Sequence, residues 1–356
     1  MAPGTQWEVA QPPNDAISSL EFAPDSSKLI VSSWDKNVYL YDVGANGADE
    51  ATLIRSFEFR APVLDVCFGA NDDEAFVGGL DQQVYRLDLT TGEQTALSQH
   101  NAAVRSLAYS REHSILVSAS WDLTLHIHDT SSSPSAPQPT ITIQLPGKPH
   151  AMASSPSKLV VAMTARLVHI YDLPTLSKAL QSQTPASEIT PWQQRESSLK
   201  FLTRAVACMP NDAGYATSSI EGRVAVEWFE DTEASQARKY AFKCHRQAAN
   251  DEEGGDIVYP VNALAFHPKF GTFASGGGDA SVALWDAEAK RRMRQLTKFP
   301  DSVAALAFSG DGKFLAIGAC PGFQTGMEDY SGEGRTHIVI RELGETEAKG
   351  KGPKEK

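Results

Sequence analysis

The sequence predicts an all-β chain closed into a ring of seven blades, a β-propeller, and three observations carry that prediction. The first is self-similarity: a short apolar strand, a turn, a second strand ending in small residues, a polar turn and a third strand recur along the chain. The copies fall at 16–42, 61–88, 102–129, a worn version at 149–172, then 202–229, 259–286 and 301–320, the last with its third strand displaced to the run THIVIREL. The second is register, since Asp35 and Asp42, Asp81 and Asp88, Asp122 and Asp129, and Asp279 and Asp286 are each seven residues apart. The third is the spare strand Gln6 to Ala10, which can complete the last blade and close the ring, removing sheet edges that would otherwise seek other chains.

Within each copy the elements follow from residue type. Val, Ile, Leu and Tyr in two-residue alternation read as strands, and SSWD, VGGLD, SASWD and GGGD read as tight turns between them. An aspartate in such a turn accepts backbone N–H bonds, and a second one ends the following strand beside an aromatic or aliphatic neighbour. Because these acids recur once per repeat they are structural, not catalytic: chemistry needs one site, not four. A period of roughly 40 to 55 residues ending in W-D or Y-D is the WD40 pattern. Thr130 to Pro139, Pro174 to Ser198 and Asn250 to Asp256 read as loops, and the tail from Gly344 to Lys356 reads as disordered, leaving 1–343 as the propeller.

Composition narrows the function. The chain has 356 residues, 41% hydrophobic, with a mean hydropathy of -0.29, enough for a large core and too polar for a membrane span. No apolar run follows a basic start, so no secretory signal is expected. Cys67, Cys208, Cys244 and Cys320 are scattered, which argues against a zinc site or disulfides and for cytosol or nucleus. A formal charge of -12 repels phosphate backbones over most of the surface. Arg195 to Arg246 differs, with eight Lys/Arg against seven Asp/Glu.

No nucleophile, base and orienter assemble, and no cofactor or metal is expected. His100 stands where it can bond the turn aspartate Asp122. KRRMR at 290–294 has the composition of a nuclear-import patch, but it falls on the outer strand of the sixth blade and reads as a solvated edge that discourages aggregation. Trp34 and Trp121 precede turn aspartates at a slot that other repeats fill with Leu80, Ile220 or Gly278, so packing does not demand an indole; both read as interface anchors on the top rim. In the fifth repeat, Ser218 to Arg246, the closing aspartate is lost and Arg223, Lys243, His245 and Arg246 gather at strand ends, where side chains are expected to reach solvent.

RESSLK (195–200), SSIEGRVAVE (218–227), YAFKCHR (240–246), YPVNALAFH (259–267) and the opening QPPNDAISSLEFAP resemble the spindle-checkpoint propeller of the budding-uninhibited-by-benzimidazole family, from Gln11 to Leu343. The paralogous messenger-RNA-export propeller, which docks on a nucleoporin, is similar in the R-E-S, I-E-G-R-V and F-K-C-H-R motifs. The long 130–139, 174–198 and 321–334 segments depart from the family pattern. The checkpoint resemblance implies a non-catalytic adaptor of nucleus, kinetochore and cytoplasm, a monomer that works in hetero-complexes. Its implied partners are the GLEBS motifs of a checkpoint kinase and of a checkpoint inhibitor, bound at the top face by Trp34, Trp121, Arg204, Glu221 and Arg223. It also implies binding of phosphorylated MELT repeats of the kinetochore scaffold by Arg223, Lys243 and Arg246.

Overall fold

The computed structural model describes residues 5–44, 51–131, 140–249, 255–297, 299–322 and 335–350. Seven four-stranded antiparallel sheets follow one another along the chain, each running from an innermost strand to an outer one. The innermost strands are Ile17–Phe22, Val63–Phe68, Val104–Ser110, Pro149–Ser154, Thr203–Cys208, Val261–Phe266 and Val303–Phe308. Blade 7 takes its outer strand from the start of the chain, where Gln6–Glu8 pairs antiparallel with His337–Glu342.

The core is divided among the seams. Seven apolar clusters each join two neighbouring blades, so that Ile30, Phe57 and Val77 pack between blades 1 and 2 while Val117, Leu159 and Leu173 pack between blades 3 and 4. A second strand such as Glu74–Gly79 is buried at every residue, because it has strands on both edges and a blade on both faces. Burying one Val, Leu or Phe contributes about 1.5–3 kcal/mol, so the closed ring gains from every seam it completes.

The turn aspartates serve as expected. Asp35 accepts from Asn37 N at 3.0 Å and Asn14 N at 2.8 Å, and Asp122 accepts from Thr124 N at 3.0 Å and Asn101 N at 2.7 Å. The residue after each turn acid is left-handed: Lys36, Gln82, Leu123, Ala280 and, in blade 5, Gly222 at φ 62°. Gly222 alone is sterically bound to be glycine, since a Cβ there would lie 2.7 Å from Cys244 O.

Two expectations are corrected. Residues 174–198 are not simply a loop: Leu173–Gln181 is a helix, and Gln193–Glu196 is the outer strand of blade 4. Asp172 caps the helix by accepting from Thr175 N at 3.1 Å, and Leu173, Leu176, Ala179 and Leu180 bury one face in the seam of blades 3 and 4. The tail is ordered from Gly344 to Gly350. Ala348 is buried and its carbonyl accepts from Thr272 Oγ1 at 2.8 Å, while the Glu347 carboxylate meets Arg294 of blade 6 and Arg341 of blade 7. Residues 351–356, and the 132–139, 250–254 and 323–334 parts of the expected loops, lie outside the described residues.

Candidate functional site: an axial mouth and a blade 5 flank

Each innermost strand slips register once, at the same place near its start. The residues skipped are Ser18, Leu64, Arg105, His150, Arg204 with Ala205, Asn262 and Ala304. A bulge leaves its extra residue out of the ladder and re-aims the side chain. Six of these seven positions, all but that of His150, line a cavity of about 270 Å³, together with Trp34 and Trp121. A cavity drawing on six blades must sit on the ring axis, at the end where the second strand of each blade turns into the third.

This mouth is cationic. Arg204 donates to Asn262 Oδ1 at 3.1 and 3.3 Å, and Asn262 is held in turn by donating to Ser302 Oγ and Val303 O, both at 3.1 Å. Burial, and then the charge of Arg105, pulls Arg204 below the usual guanidinium range. Arg105 is also lowered by burial, with the Asp65 carboxylate acting against that shift. His150 is pushed below 6.5 by burial and by Arg105, Lys148 and Arg204. Arg105 thus adds to the burial that disfavours charge on Arg204 and on His150, a field that a bound anion relieves. Lys148 Nζ sits 4.3 Å from the centre of the Trp121 ring, adding a cation at the rim.

The site residues expected together on the top face separate into two groups. Trp34, Trp121 and Arg204 meet in the mouth, whereas Glu221 and Arg223 do not line it. Arg105 does belong there and was not singled out in the sequence, because in AAVRSLAY it reads as an ordinary alternating residue; only the bulge turns it inward.

The second group lies on blade 5. Arg223 opens the third strand and Lys243 ends the outer strand, and the two are register partners. Glu221 Oε1 lies 3.5 Å from Arg223 Nε, so this carboxylate orients Arg223 and not Arg204. Arg246 is partly committed: it donates to Glu221 O at 2.8 Å and stands 3.6 Å from Asp256, tying the turn to a two-stranded ribbon of Arg246–Ala248 and Asp256–Val258. Beside them, Phe201, Leu202, Ile220, Ile257 and Val258 are five of the seven large apolar side chains that the described surface exposes. Ile220 N bonds Leu202 O at 3.1 Å, and Val258 touches the Gly222 turn, so the patch borders the cations.

His245 is corrected: it does not reach solvent. It is 6% exposed, with Nδ1 2.7 Å from Asp279 Oδ1 and Nε2 2.8 Å from Ser275 Oγ, and Ser275 also accepts from Trp285 Nε1 at 2.9 Å. His100 has the same place in blade 3, 3.3 Å from Asp122 and 2.9 Å from both Thr124 Oγ1 and Ser118 Oγ. Arg195 of RESSLK and Glu227 of RVAVE are likewise turned inward. Arg195 donates to Trp228 O at 2.7 Å and Phe229 O at 2.9 Å, and buried Glu227 accepts from Ser198 Oγ at 2.9 Å and Tyr215 OH at 3.1 Å, stapling blade 4 to blade 5. Among the described residues no group of His, Cys, Asp and Glu is arranged to hold a metal ion.

The WD domain, G-beta repeat family matches residues 9–42, 92–129 and 257–286. The mitotic checkpoint protein BUB3.1 of Arabidopsis thaliana is 42% identical over 99% of this chain and 96% of its own length. The mitotic checkpoint protein bub3 of Dictyostelium discoideum is 34% identical over 91% of each chain. A poly(A)+ RNA export protein of Schizosaccharomyces pombe is 33% identical over 87% of this chain and 82% of its own. A ring of seven four-stranded blades with near full-length identity of this order to several checkpoint proteins means that the chain belongs to the BUB3 mitotic checkpoint family of WD40 propellers.

Proposed function

We propose that this protein is a non-catalytic adaptor of the spindle assembly checkpoint, acting in the nucleus and cytoplasm and at kinetochores. In this reading its axial mouth holds the GLEBS segments of a checkpoint kinase and a checkpoint inhibitor, and its blade 5 flank holds phosphorylated MELT repeats of the kinetochore scaffold. The observation that carries the reading is the mouth, where Arg204 and Arg105 stand half-buried beside two indoles. A peptide that orders on binding must offset lost backbone freedom, and rigid indoles supply apolar area at little entropic cost of their own. Acidic side chains of the peptide relieve the field that the two guanidinium groups share.

On the flank, Arg223 grips a phosphothreonine bidentately and Lys243 adds a point charge, with Arg246 behind them. A motif reading Met-Glu-Leu-Thr also carries two apolar side chains, and the patch of Leu202, Ile220 and Val258 is where they rest. The test is fluorescence anisotropy with paired phosphorylated and unmodified MELT peptides, alongside calorimetry with a GLEBS peptide. Strong preference for the phosphorylated form supports the reading; equal affinity for the two removes the kinetochore role. The export relative motivates the second reading, a propeller docked on a nucleoporin, and a mitotic pull-down that recovers nucleoporin without checkpoint kinase favours it.

A further inference from the structure

The outer strands of the seven blades are nearly alike in charge, with one exception. Gln6–Glu8, Thr52–Glu58, Gln94–Gln99, Thr140–Gln144, Gln193–Glu196 and Tyr240–Lys243 carry no more than one Lys or Arg each, whereas Arg291–Leu296 of blade 6 reads RRMRQL and carries three. Where another outer strand has an arginine, it serves the ring. Arg55 donates to Thr90 O at 2.7 Å and Thr91 O at 2.9 Å in blade 2, and Arg195 donates into blade 5 as described. In blade 6 only Arg294 is so used, against Glu347.

Arg291 and Arg292 are exposed. Among the described residues Arg292 donates only along its own strand, to Gln295 Oε1 at 2.7 Å, and Arg291 has no acidic side chain as partner. The lysine before them, Lys290, is used by the ring: it donates to Arg238 O at 3.1 Å and lies 4.9 Å from the centre of the Tyr240 ring of blade 5. Guarding an edge against aggregation takes no more than one such charge, as the other blades show. Strand pairing with Val282–Asp286 also holds this backbone in the sheet, so it cannot be drawn out as an extended import signal.

We propose that the outer edge of blade 6 is a docking site for a short, extended, acidic peptide segment that adds as a fifth strand beside Arg291–Leu296. The edge supplies main-chain donors and acceptors, and the arginines select an acidic partner over a basic or neutral one. Six residues span about 20 Å, which sets the length of the partner segment. A nucleic-acid duplex fits less well, because it runs past the strand into the field of a chain whose net charge is -12.

The test uses the full chain and a fluorescein-labelled decapeptide of alternating Glu and Val, with its Lys-Val counterpart and a 20-base-pair DNA duplex as controls. At 50 mM salt the acidic peptide binds and the basic one does not, the R291E/R292E double variant weakens binding at least tenfold, and 300 mM salt does the same. The R223A/K243A variant keeps the peptide-induced protection at 291–296, which separates the edge from the blade 5 flank. Bound peptide slows hydrogen exchange at amides of 291–296. Binding that survives charge reversal, protection confined to other blades, or binding of the duplex in place of the peptide overturns the proposal.

Discussion

The mouth and the blade 5 flank both gather positive charge on an acidic protein, yet they are built in opposite ways. In the mouth, arginines reach the axis because six strands bulge at one level, and each is half-buried, with its charged form disfavoured by burial before any partner arrives. On the flank, Arg223 and Lys243 come from adjoining strands of a single blade and stand partly in water. The difference teaches that the same residue type is strengthened by low dielectric in one place and screened in the other. Mouth binding should therefore be strong and indifferent to salt, and flank binding weaker and salt-sensitive.

The largest expected effect is at the mouth. Arg204→Ala removes a half-buried charge that Asn262 holds in place, and calorimetry with a GLEBS peptide should show a loss of about 2–5 kcal/mol. Arg105→Ala should fall in the same range; an Arg105→Ala variant that binds like wild type would break the two-arginine account. Next, Trp34→Ala or Trp121→Ala should weaken the same peptide by about 2 kcal/mol with the fold intact by circular dichroism. On the flank, Arg223→Ala or Lys243→Ala should abolish most of the preference for phosphorylated MELT peptide, a loss of roughly 1.5–3 kcal/mol at low salt that shrinks as salt is added.

The smallest effect is the sharpest for the comparison. A phosphothreonine has its second pKa near 6, so between pH 7.5 and 5.5 the dianion population, and flank affinity with it, should fall about fourfold. The mouth should not weaken over that range, because carboxylates of the peptide remain ionised and His150, held below 6.5, only gains charge as pH falls. Titrating both peptides across that window checks it, and parallel pH profiles would contradict the distinction.

Stability carries its own pH signature at the seam of blades 2 and 3. His100 is lowered to about 4 by burial and then by His126, and His128 to about 3 by burial and then by its histidine neighbours; His126 is lowered by burial. These groups fold neutral while the unfolded chain protonates near 6.5, so stability is complete above that pH and is lost as pH falls toward 4. Urea midpoints at pH 7 and 5 should show the decline. Substituting His128 by Asn should reduce it.

Much of this architecture was legible because repeats advertise themselves: the aspartate register located the blades, and Gln6 to Ala10 was visibly a strand without a blade. The split between mouth and flank was not legible. Whether Arg223 or Arg105 faces the axis depends on which residue a bulge expels, and that is set by pairing across strands rather than by local pattern. His245 misled for a related reason: its charge class suggested solvent, while Ser275 and Asp279, 30 and 34 positions further on, pull it inside. The helix after Asp172 was there to be read in the D-L-P-T-L capping signal, but the surrounding polar run obscured it.

The strand that closes the ring also sets a timetable for synthesis. Gln6–Glu8 leaves the ribosome long before His337–Glu342, its partner. About 330 residues separate them, so at about 5–20 residues per second the N-terminal strand waits roughly 15 to 65 seconds for its place. Through that interval the nascent chain is an open arc with an unsealed seam at the growing end, and Ile17, Leu20 and Leu29, which finally pack against blade 7, have no blade to cover them. A circular permutant that moves residues 5–10 to the far end would turn this long-range closure into a local hairpin, letting the final blade form as soon as it is made.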